Sequence, residues 1–225
     1  MPVLRAASKE PERFDDPTSV HTAAAQWMRY TNQVELVADG KIVQRYALVL
    51  LAMTLRSGSP FVVDPATDEC TWPGVTCNSN ATAQLYSPVE SLAWPHQGLT
   101  GQIPQDIALL ANLKLLDLAE NKLTGRIPAG LYGLWELQYL YLQNNQFSGT
   151  LATRIGNLQK LTKAFLGDNL LTGTLPTEIG SHATGTSASL RTFFIKRPLG
   201  RRGTMMMSEQ KVQLTLSLIA FNRMA

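Results

Sequence analysis

Apolar residues recur in one fixed pattern along the middle of the chain, from Val89 to Gly180. The pattern occurs four times, and each copy has apolar side chains at its first, fourth, sixth, eleventh and fifteenth positions. The thirteenth position recurs every 24 residues as Gly101, Gly125, Gly149 and Gly173. The ninth position holds Gln97, Asn121, Asn145 and Asn169. Agreement in register over so many positions predicts a repeating structural unit.

The spacing within one copy predicts a short strand followed by a turn. Leu116 and Leu118 alternate around Asp117, so the leucines point to one side of the strand and the aspartate to the other. One copy cannot bury its leucines alone, whereas stacked copies would share a continuous core beside a parallel sheet. The asparagine carries donors and an acceptor on a short side chain. We therefore expect it to bond to backbone groups at the turn, with successive asparagines forming a ladder.

The second half of each copy favours an irregular outer segment. The glycine permits a backbone conformation that other residues resist, and the proline fixes φ and donates no hydrogen bond, which suits the solvated outer side. The consensus L-x-x-L-x-L-x-x-N-x-L-x-G-x-I-P resembles the plant type of the leucine-rich repeat. The resemblance implies an α/β fold, a right-handed solenoid with a short parallel β-sheet on its concave face and a 3-10 or irregular convex side. We assign the repeated residues to structure and none of them to a binding site.

A helix is predicted ahead of the repeats, from Val34 to about Leu55. Apolar residues fall at helical spacing there, at Ile42, Tyr46, Val49, Leu50 and Met53. Polar side chains separate them, at Lys41, Gln44, Arg45 and Arg56. Residues 57–60, Ser-Gly-Ser-Pro, end the helix. We expect it to cover the open end of the solenoid, and the alternative is a helix that lies on a membrane.

The two cysteines lie between this helix and the repeats, in the sequence C-x-W-x-G-V-x-C at residues 70–77. This motif, with the helical residues 44–50 before it, resembles the amino-terminal cap of plant-type leucine-rich-repeat ectodomains. Without a histidine nearby the pair makes a poor zinc site, and the resemblance favours a Cys70–Cys77 disulfide with Trp72 packed over the first repeat. The tryptophan that this family often has between helix and cysteines is absent, and we expect Phe61 to replace it.

Both ends of the chain depart from the repeat. Residues 1–33 are mostly polar and include three prolines, so we predict a flexible leader with a helical turn near Ala23–Met28. The leucine places of a fifth copy fall on Leu190, Phe193 and Ile195. Its asparagine place falls on Pro198, which cannot make the same hydrogen bonds.

These boundaries divide the chain into four parts. They are a leader at 1–33, a cap at 34–84, four repeats at 85–182, and a degenerate fifth repeat with a basic tail at 183–225, which we expect to be truncated or irregular. Little regular cover would then remain for the far side of the fourth repeat, at Leu166, Leu171, Leu175 and Ile179. We therefore expect marginal stability and self-association.

Charge is distributed unevenly over the 225 residues, whose formal net charge is +3. Residues 182–225 carry seven lysines and arginines against one glutamate, which leaves the rest of the chain mildly acidic. A basic tail can attract an anionic membrane or nucleic acid. Because this tail lacks interleaved aromatic residues and a folded motif, we expect a solvated, disordered segment and no nucleic-acid partner.

The chain as given begins without an export signal, since no apolar core follows Arg5. Its longest apolar run, Tyr46–Leu55, is about half of what a membrane span needs. The family resemblance nevertheless implies an extracellular or cell-surface location. A glycosylation sequon at Asn80 would matter for an exported chain.

The sequence offers little support for an enzyme. It contains no motif of a serine hydrolase, zinc protease, phosphate-binding loop or kinase. The histidines, His21, His96 and His182, are far apart in sequence. Acidic pairs such as Asp117 with Glu120 are expected to be solvated. We therefore predict no catalytic residue, no metal site and no cofactor.

Binding residues are expected between the leucines, on the exposed face of the sheet. Two stripes cross this face: Ala93, Asp117, Tyr141 and Phe165 form one, and Ser91, Leu115, Tyr139 and Lys163 form the other. The flanking positions are His96, Glu120, Gln143, Asn144 and Asp168. The ligand-binding residues that we predict are Asp117, Glu120, Tyr139, Tyr141, Gln143, Phe165 and Asp168. Aromatic anchors ringed by polar groups are typical of protein interfaces, although strands favour aromatic residues in any case.

The resemblance implies a non-enzymatic module that recognises a protein or peptide on its concave face, within a receptor-like cell-surface protein that also uses a co-receptor. A secreted inhibitor of hydrolases is a close variant of this hypothesis. Two alternatives stay open. One is an intracellular scaffold, which free thiols would favour, and the other is a fragment of a receptor kinase without its kinase domain.

Overall fold

The computed structural model describes residues 2–29, 39–55, 64, 67–78, 86–179 and 192–194. The helices within these ranges are α1 (Pro2–Ala7), α2 (Val20–Arg29) and α3 (Asp39–Thr54). Short 3-10 helices lie at Pro11–Asp15, Glu69–Thr71, Gln105–Leu109, Ala129–Gly133 and Thr153–Asn157. The strands are β1 (Val75–Cys77), β2 (Val89–Ala93), β3 (Thr100–Gly101), β4 (Leu115–Asp117), β5 (Lys122–Leu123), β6 (Tyr139–Tyr141), β7 (Ser148–Thr150), β8 (Lys163–Phe165), β9 (Leu170–Thr172) and β10 (Thr192–Phe194).

A six-stranded sheet runs along one side of the repeats in the order β1-β2-β4-β6-β8-β10. The strands from β2 onward are parallel, and β1 from the cap pairs antiparallel with β2. Leu116 lies opposite Leu92 on one neighbouring strand and Leu140 on the other, which is the register that a 24-residue repeat predicts. Two small sheets, β3 with β5 and β7 with β9, pair the segments around the repeat glycines.

The stacked leucine positions form the core of the solenoid. Leu116, Leu118, Leu140 and Leu142 are fully buried. Ile107, from the 3-10 helix of the first repeat, closes the opposite side of the same core. Burial of each such side chain contributes about 1.5–3 kcal/mol, so the stack supplies most of the driving force for folding. The structure is therefore the α/β solenoid that the sequence predicts.

The repeat asparagines form the predicted ladder. Asn145, which is 7% exposed, accepts a hydrogen bond of 2.9 Å from the N–H of Leu123 through Oδ1. Its Nδ2 donates to the carbonyls of Leu118 at 2.8 Å and Leu142 at 3.2 Å. Asn121 and Asn169 make the corresponding bonds in their own repeats. Each asparagine thus ties its own coil to the preceding one.

The repeat glycines adopt the left-handed conformation that the sequence predicts. Gly101, Gly125, Gly149 and Gly173 have φ between +79° and +95°. A Cβ at Gly101 would lie 2.5 Å from the carbonyl oxygen of Thr54, so this glycine also lets the end of α3 approach the first coil. Pro104 and Pro128 directly precede 3-10 helices. Pro128 is buried, so the expectation of a solvated outer position is wrong for this proline.

Helix α3 covers the open end of the solenoid, as predicted. Every residue from Gln44 to Leu51 is buried, and the helix packs on the 3-10 helix Gln105–Leu109 of the first repeat. This burial contradicts the alternative of a helix lying on a membrane. No helix in the described ranges is long and apolar enough to cross a membrane.

The polar side chains Gln44 and Arg45, which separate the apolar positions of this helix in the sequence, are buried with Glu69. The carboxylate of Glu69, which is 0% exposed, accepts bonds of 3.1 Å from both Gln44 Nε2 and Arg45 Nη1. Gln44 Oε1 accepts a bond of 2.7 Å from the N–H of Val89, at the start of β2. A buried charge pair is tolerated when such bonds satisfy it. This network joins α3, the cap loop and the first repeat.

Cys70 and Cys77 are joined by a disulfide, as the resemblance implied. The ring of Trp72, which we expected over the first repeat, lies 5.1 Å from the guanidinium carbon of Arg45 and packs edge-on against Trp27 at 6.3 Å. Pro73 of the same loop contacts the first repeat, because its carbonyl accepts a bond of 2.9 Å from Trp94 Nε1. Phe61, the expected substitute for the missing tryptophan, lies outside the described residues, and Trp27 fills a place beside Trp72.

The prediction of a flexible leader at 1–33 is wrong for residues 2–29. Helices α1 and α2 pack on α3, and Leu4, Ala24 and Met28 are buried in the common core. The helical turn predicted near Ala23–Met28 is part of α2. The signal that could have revealed the packed face of this helix is the set His21, Ala24, Ala25 and Met28, at helical spacing i, i+3, i+4 and i+7. Small alanines made this apolar face easy to overlook.

A buried carboxylate holds the amino-terminal segment in place. Asp106, which is 0% exposed, accepts hydrogen bonds from Ser8 Oγ at 2.7 Å, from the N–H of Lys9 and from Tyr46 Oη at 3.3 Å. His21 Nε2 lies 3.6 Å from the same carboxylate. Burial, followed by the charge of Asp106, raises the pKa of Tyr46 well above its ordinary value. One side chain of the first repeat thus binds both α3 and the leader.

The predicted fifth copy contributes a strand to the sheet. β10 pairs parallel with β8 and places Phe193 opposite Ala164, the register expected from the leucine pattern. Leu166 and Ile179 are buried, which contradicts the expectation of a poorly covered edge at these two positions, whereas Leu175 is 43% exposed. Pro198, the basic tail, Asn80 and His182 lie outside the described residues.

Replacing Asn145 by leucine should lower the free energy of unfolding by about 1–3 kcal/mol, because the buried backbone groups of Leu118 and Leu123 lose their partner. Urea denaturation measures the change. Asn157→Leu, at an exposed position of a 3-10 helix, is the control. Equal effects of the two substitutions would contradict the ladder.

Asp106→Ala should loosen the amino-terminal segment, because the Ser8 hydroxyl and the Lys9 N–H lose their acceptor. Trypsin cleavage after Arg5 and Lys9 should become about tenfold faster, as expected for the loss of about 1.4 kcal/mol of local stability. Mass spectrometry of timed digests measures the rate. Glu12→Ala, at an exposed position of the same segment, should leave it unchanged, and cleavage that is equally slow in the Asp106 variant would contradict the anchoring role.

Candidate functional site

The side chains that point away from the core form one surface, which we call the sheet face. Strand register places Ala93, Asp117, Tyr141 and Phe165 in one column. A second column consists of Ser91, Leu115, Tyr139 and Lys163. Both columns match the stripes expected from sequence spacing, because each repeat contributes one strand in the same register.

Three aromatic side chains of the sheet face, Tyr139, Tyr141 and Phe165, lie together and form what we call the aromatic patch. The rings of Tyr141 and Phe165 are stacked, with centroids 5.4 Å apart and planes 20° apart. Lys163 Nζ lies 5.8 Å from the centroid of the Tyr139 ring. All three aromatic side chains are half-buried, so each keeps part of its surface in contact with solvent.

A column of turn residues borders the carboxyl ends of the strands. It consists of His96, Glu120, Asn144 and Asp168, whose φ values lie between 52° and 57°. Left-handed backbone is uncommon for residues other than glycine, and asparagine and aspartate tolerate it best. All four side chains are exposed. Sequence reasoning placed these residues beside the stripes but gave no sign of the backbone conformation that presents them.

Hydrogen bonds and ion pairs fix some of the predicted polar residues. Asp117 Oδ1 accepts a bond of 3.0 Å from the N–H of Ala119, which orients its carboxylate. His96 Nδ1 lies 3.0 Å from Glu120 Oε2. Gln143 is half-buried, and its Oε1 has no hydrogen-bond partner within the described ranges. Gln143 is therefore less available to a ligand than its neighbour Asn144.

Charge on the sheet face is separated along the strand direction. Near the amino ends of the strands lie Lys163 and Lys114, and Lys114 Nζ is 2.7 Å from Glu90 Oε1. The carboxylates Asp117, Glu120 and Asp168, which we call the acidic rim, lie toward the carboxyl ends. Burial, followed by the charge of Asp117, raises the pKa of Tyr141 above its ordinary value. The carboxylate of Asp117 therefore produces a negative electrostatic potential at the Tyr141 side of the aromatic patch.

Other candidate residues lie away from the sheet face. His21 is buried beside the carboxylate of Asp106. In the described ranges, no group of three histidine, cysteine or acidic side chains could hold a metal ion. Trp135, which sequence reasoning missed, is 72% exposed at the turn between a 3-10 helix and β6. The same repeat position holds Ala111 and Gln159 in the neighbouring copies. A tryptophan at a position that varies between copies was the sequence feature that could have indicated an exposed aromatic side chain.

Comparison with known sequences agrees with the repeat pattern. The profile of the leucine rich repeat family matches residues 97–147. No curated protein sequence matches the chain.

Solved structures with the same fold include plant receptor ectodomains. The ectodomain of the Arabidopsis thaliana membrane receptor kinase GASSHO1/SCHENGEN3 is 28% identical, with a TM-score of 0.57 over 70% of this chain and 18% of that one. A pollen receptor kinase 3 is 26% identical, with a TM-score of 0.57 over 69% of this chain and 70% of that one. A plant ice-binding protein is 25% identical, with a TM-score of 0.58 over 67% of this chain and 47% of that one.

These similarities define the class of the protein. The chain is a leucine-rich-repeat solenoid that resembles the ectodomains of plant receptor kinases, and its amino-terminal cap contains a disulfide. The resemblance predicted from the sequence is thereby confirmed. The chain spans 18% of the length of the Arabidopsis ectodomain, so it corresponds to a small part of that protein.

Replacing Asp117 by asparagine should lower the pKa of Tyr141, because the negative charge that disfavours the tyrosinate is removed. Burial is the larger cause and stays, so the pKa should fall only part of the way to the ordinary value near 10. Titration of the tyrosine ring carbons by NMR measures it. Asp168→Asn is the matched control, and an unchanged Tyr141 pKa in the Asp117 variant would contradict the placement of that carboxylate beside the ring.

Proposed function

We propose that this chain is a non-enzymatic recognition module that binds a peptide or protein ligand on its sheet face, as part of a receptor-like cell-surface protein. The observation that carries the proposal is the aromatic patch, which is partly exposed on a sheet whose other side is the continuous core. Aromatic side chains are enriched in protein interfaces, and a few well-packed residues, often tyrosines, provide most of the binding energy there.

The rigidity of the patch supports binding. The residues that follow Tyr141 and Phe165, Leu142 and Leu166, are held by hydrogen bonds that their carbonyls accept from the side chains of Asn145 and Asn169. A surface that is ordered before binding loses little conformational entropy when a ligand arrives. The candidate contact residues are Asp117, Glu120, Tyr139, Tyr141, Phe165 and Asp168, with Gln143 in a minor role because of its partial burial.

The comparisons support the class of ligand. The Arabidopsis ectodomain is described in complex with CASPARIAN STRIP INTEGRITY FACTOR 2. The sheet of our chain is short, so a single ligand would bury a small area, and a co-receptor that contacts both would raise the affinity. Receptor signalling, membrane attachment and glycosylation at Asn80 belong to this proposal for the whole protein.

The disulfide supports an extracellular location over the intracellular scaffold. Disulfides persist in oxidising compartments and are rare in the cytosol. The Cys70–Cys77 bond holds the loop whose Trp72 packs beside the buried Arg45. A protein that kept these cysteines reduced would lose this restraint on the cap.

The proposal is tested by selecting a random linear peptide library against the disulfide-bonded chain. Tyr141→Ala or Phe165→Ala should weaken the selected peptides by about tenfold or more, because each removes part of an aromatic anchor. Biolayer interferometry measures the dissociation constants. Trp135→Ala is the control, since this exposed aromatic side chain lies off the sheet face. Peptides that depend on Trp135 and not on the aromatic patch would overturn the assignment of the sheet face.

A further inference from the structure

The sheet face carries a charge asymmetry that limits which ligands fit it. The acidic rim, Asp117, Glu120 and Asp168, lies on the carboxyl-terminal side of the strands, beside the aromatic patch. At the amino-terminal side, the charge of Lys114 is offset by Glu90, 2.7 Å away. The face as a whole is therefore more negative along one edge than along the other.

The acidic rim is only partly neutralised by its own protein. In the part of the chain that the structure describes, no lysine or arginine comes within 4.0 Å of the carboxylate of Asp117 or Asp168. Glu120 has His96 as its neighbour, at 3.0 Å. Lys163 lies over the ring of Tyr139, on the other side of the face. Negative charge thus remains available to a partner.

Short side chains leave room next to Asp117. Its neighbour on β2 is Ala93, and the second column has Ser91 at the same strand. Because these side chains are smaller than Tyr141 on the other side of Asp117, we expect more room beside the carboxylate on the side of β2. A long, flexible side chain from a ligand can occupy that room, with its end at the carboxylate and its stem along the Tyr141 ring.

The distances across the face match an extended peptide. Neighbouring strands lie about 4.8 Å apart, so Asp117 and Phe165, two strands apart in one column, are separated by about 10 Å. Side chains two positions apart in a β-strand point to the same side and are separated by about 7 Å, and side chains three positions apart in a polyproline II helix also point to the same side and are separated by about 9 Å. One peptide can therefore reach the carboxylate and the stacked rings at the same time.

Resting on the proposed function, we propose that the ligand is a peptide with an arginine or lysine against Asp117 and an apolar or aromatic residue, two or three positions away, against the stacked rings of Tyr141 and Phe165. A guanidinium or ammonium group gains a charge-assisted hydrogen bond to the carboxylate. It also gains a cation–π contact with the neighbouring tyrosine ring. An acidic segment in the same place would face unneutralised carboxylates and be repelled.

The composition of peptides selected on the intact, disulfide-bonded chain tests this inference. From a random nine-residue library, the peptides that depend on Tyr141 should be enriched in arginine and lysine over aspartate and glutamate. The basic residue should lie two or three positions from an apolar one. Asp117→Asn, which keeps an acceptor for the N–H of Ala119, should weaken these peptides about fivefold and reduce the salt dependence of their binding.

Glu136→Gln is the matched control, because Glu136 lies away from the sheet face in an ion pair with Lys160 and its removal should leave peptide affinity unchanged. Tyr141-dependent peptides that are neutral or acidic would overturn the basic-ligand inference and leave the proposed function standing. Peptides insensitive to both Tyr141 and Phe165 would overturn the proposed function, and the inference with it.

Discussion

The structure depends on the hydrogen bonds that each repeat asparagine makes across the boundary between two coils. Asn145 accepts from Leu123 in the coil before it and donates to Leu118 in that coil and to Leu142 in its own. These backbone groups lie at a buried turn, where water cannot replace the bonds. The asparagine thereby fixes the stacking of the coils, and the stacking fixes the register of the sheet. The order of side chains on the sheet face follows from that register.

The cap extends the same core and gives the sheet a defined beginning. Gln44 bonds to the first N–H of β2, and Arg45 and Gln44 satisfy the buried carboxylate of Glu69. The disulfide closes the loop that carries Trp72 and leads into β1. Asp106 joins the amino-terminal helices to the first coil. The small residues beside Asp117 are therefore held by the cap as well as by the repeats.

The sequence predicted the parts of the structure that depend on periodicity. The register of Asp117 beside Tyr141 follows from the 24-residue spacing alone, as does the burial of Asn145. The buried ion pair between Arg45 and Glu69 could not be predicted, because the two residues lie 24 positions apart in a region without a repeat. The helical turn predicted near Ala23–Met28 lies within α2, but its packing on α3 was missed because two of its four buried positions are alanines. The left-handed turns escaped prediction because residues of four different types occupy them.

Amide hydrogen exchange of the intact chain tests the central claim, that the cap and the coils share one continuous core. The account predicts that the buried amides of α3 and the asparagine-bonded amides of Leu99, Leu123 and Phe147 exchange slowly and with the same free energy of opening, as one cooperative unit. Fast, independent exchange of α3 while Leu123 and Phe147 stay protected would contradict it. The cap would then be a separate element, and the sheet face would not be held at its first strand.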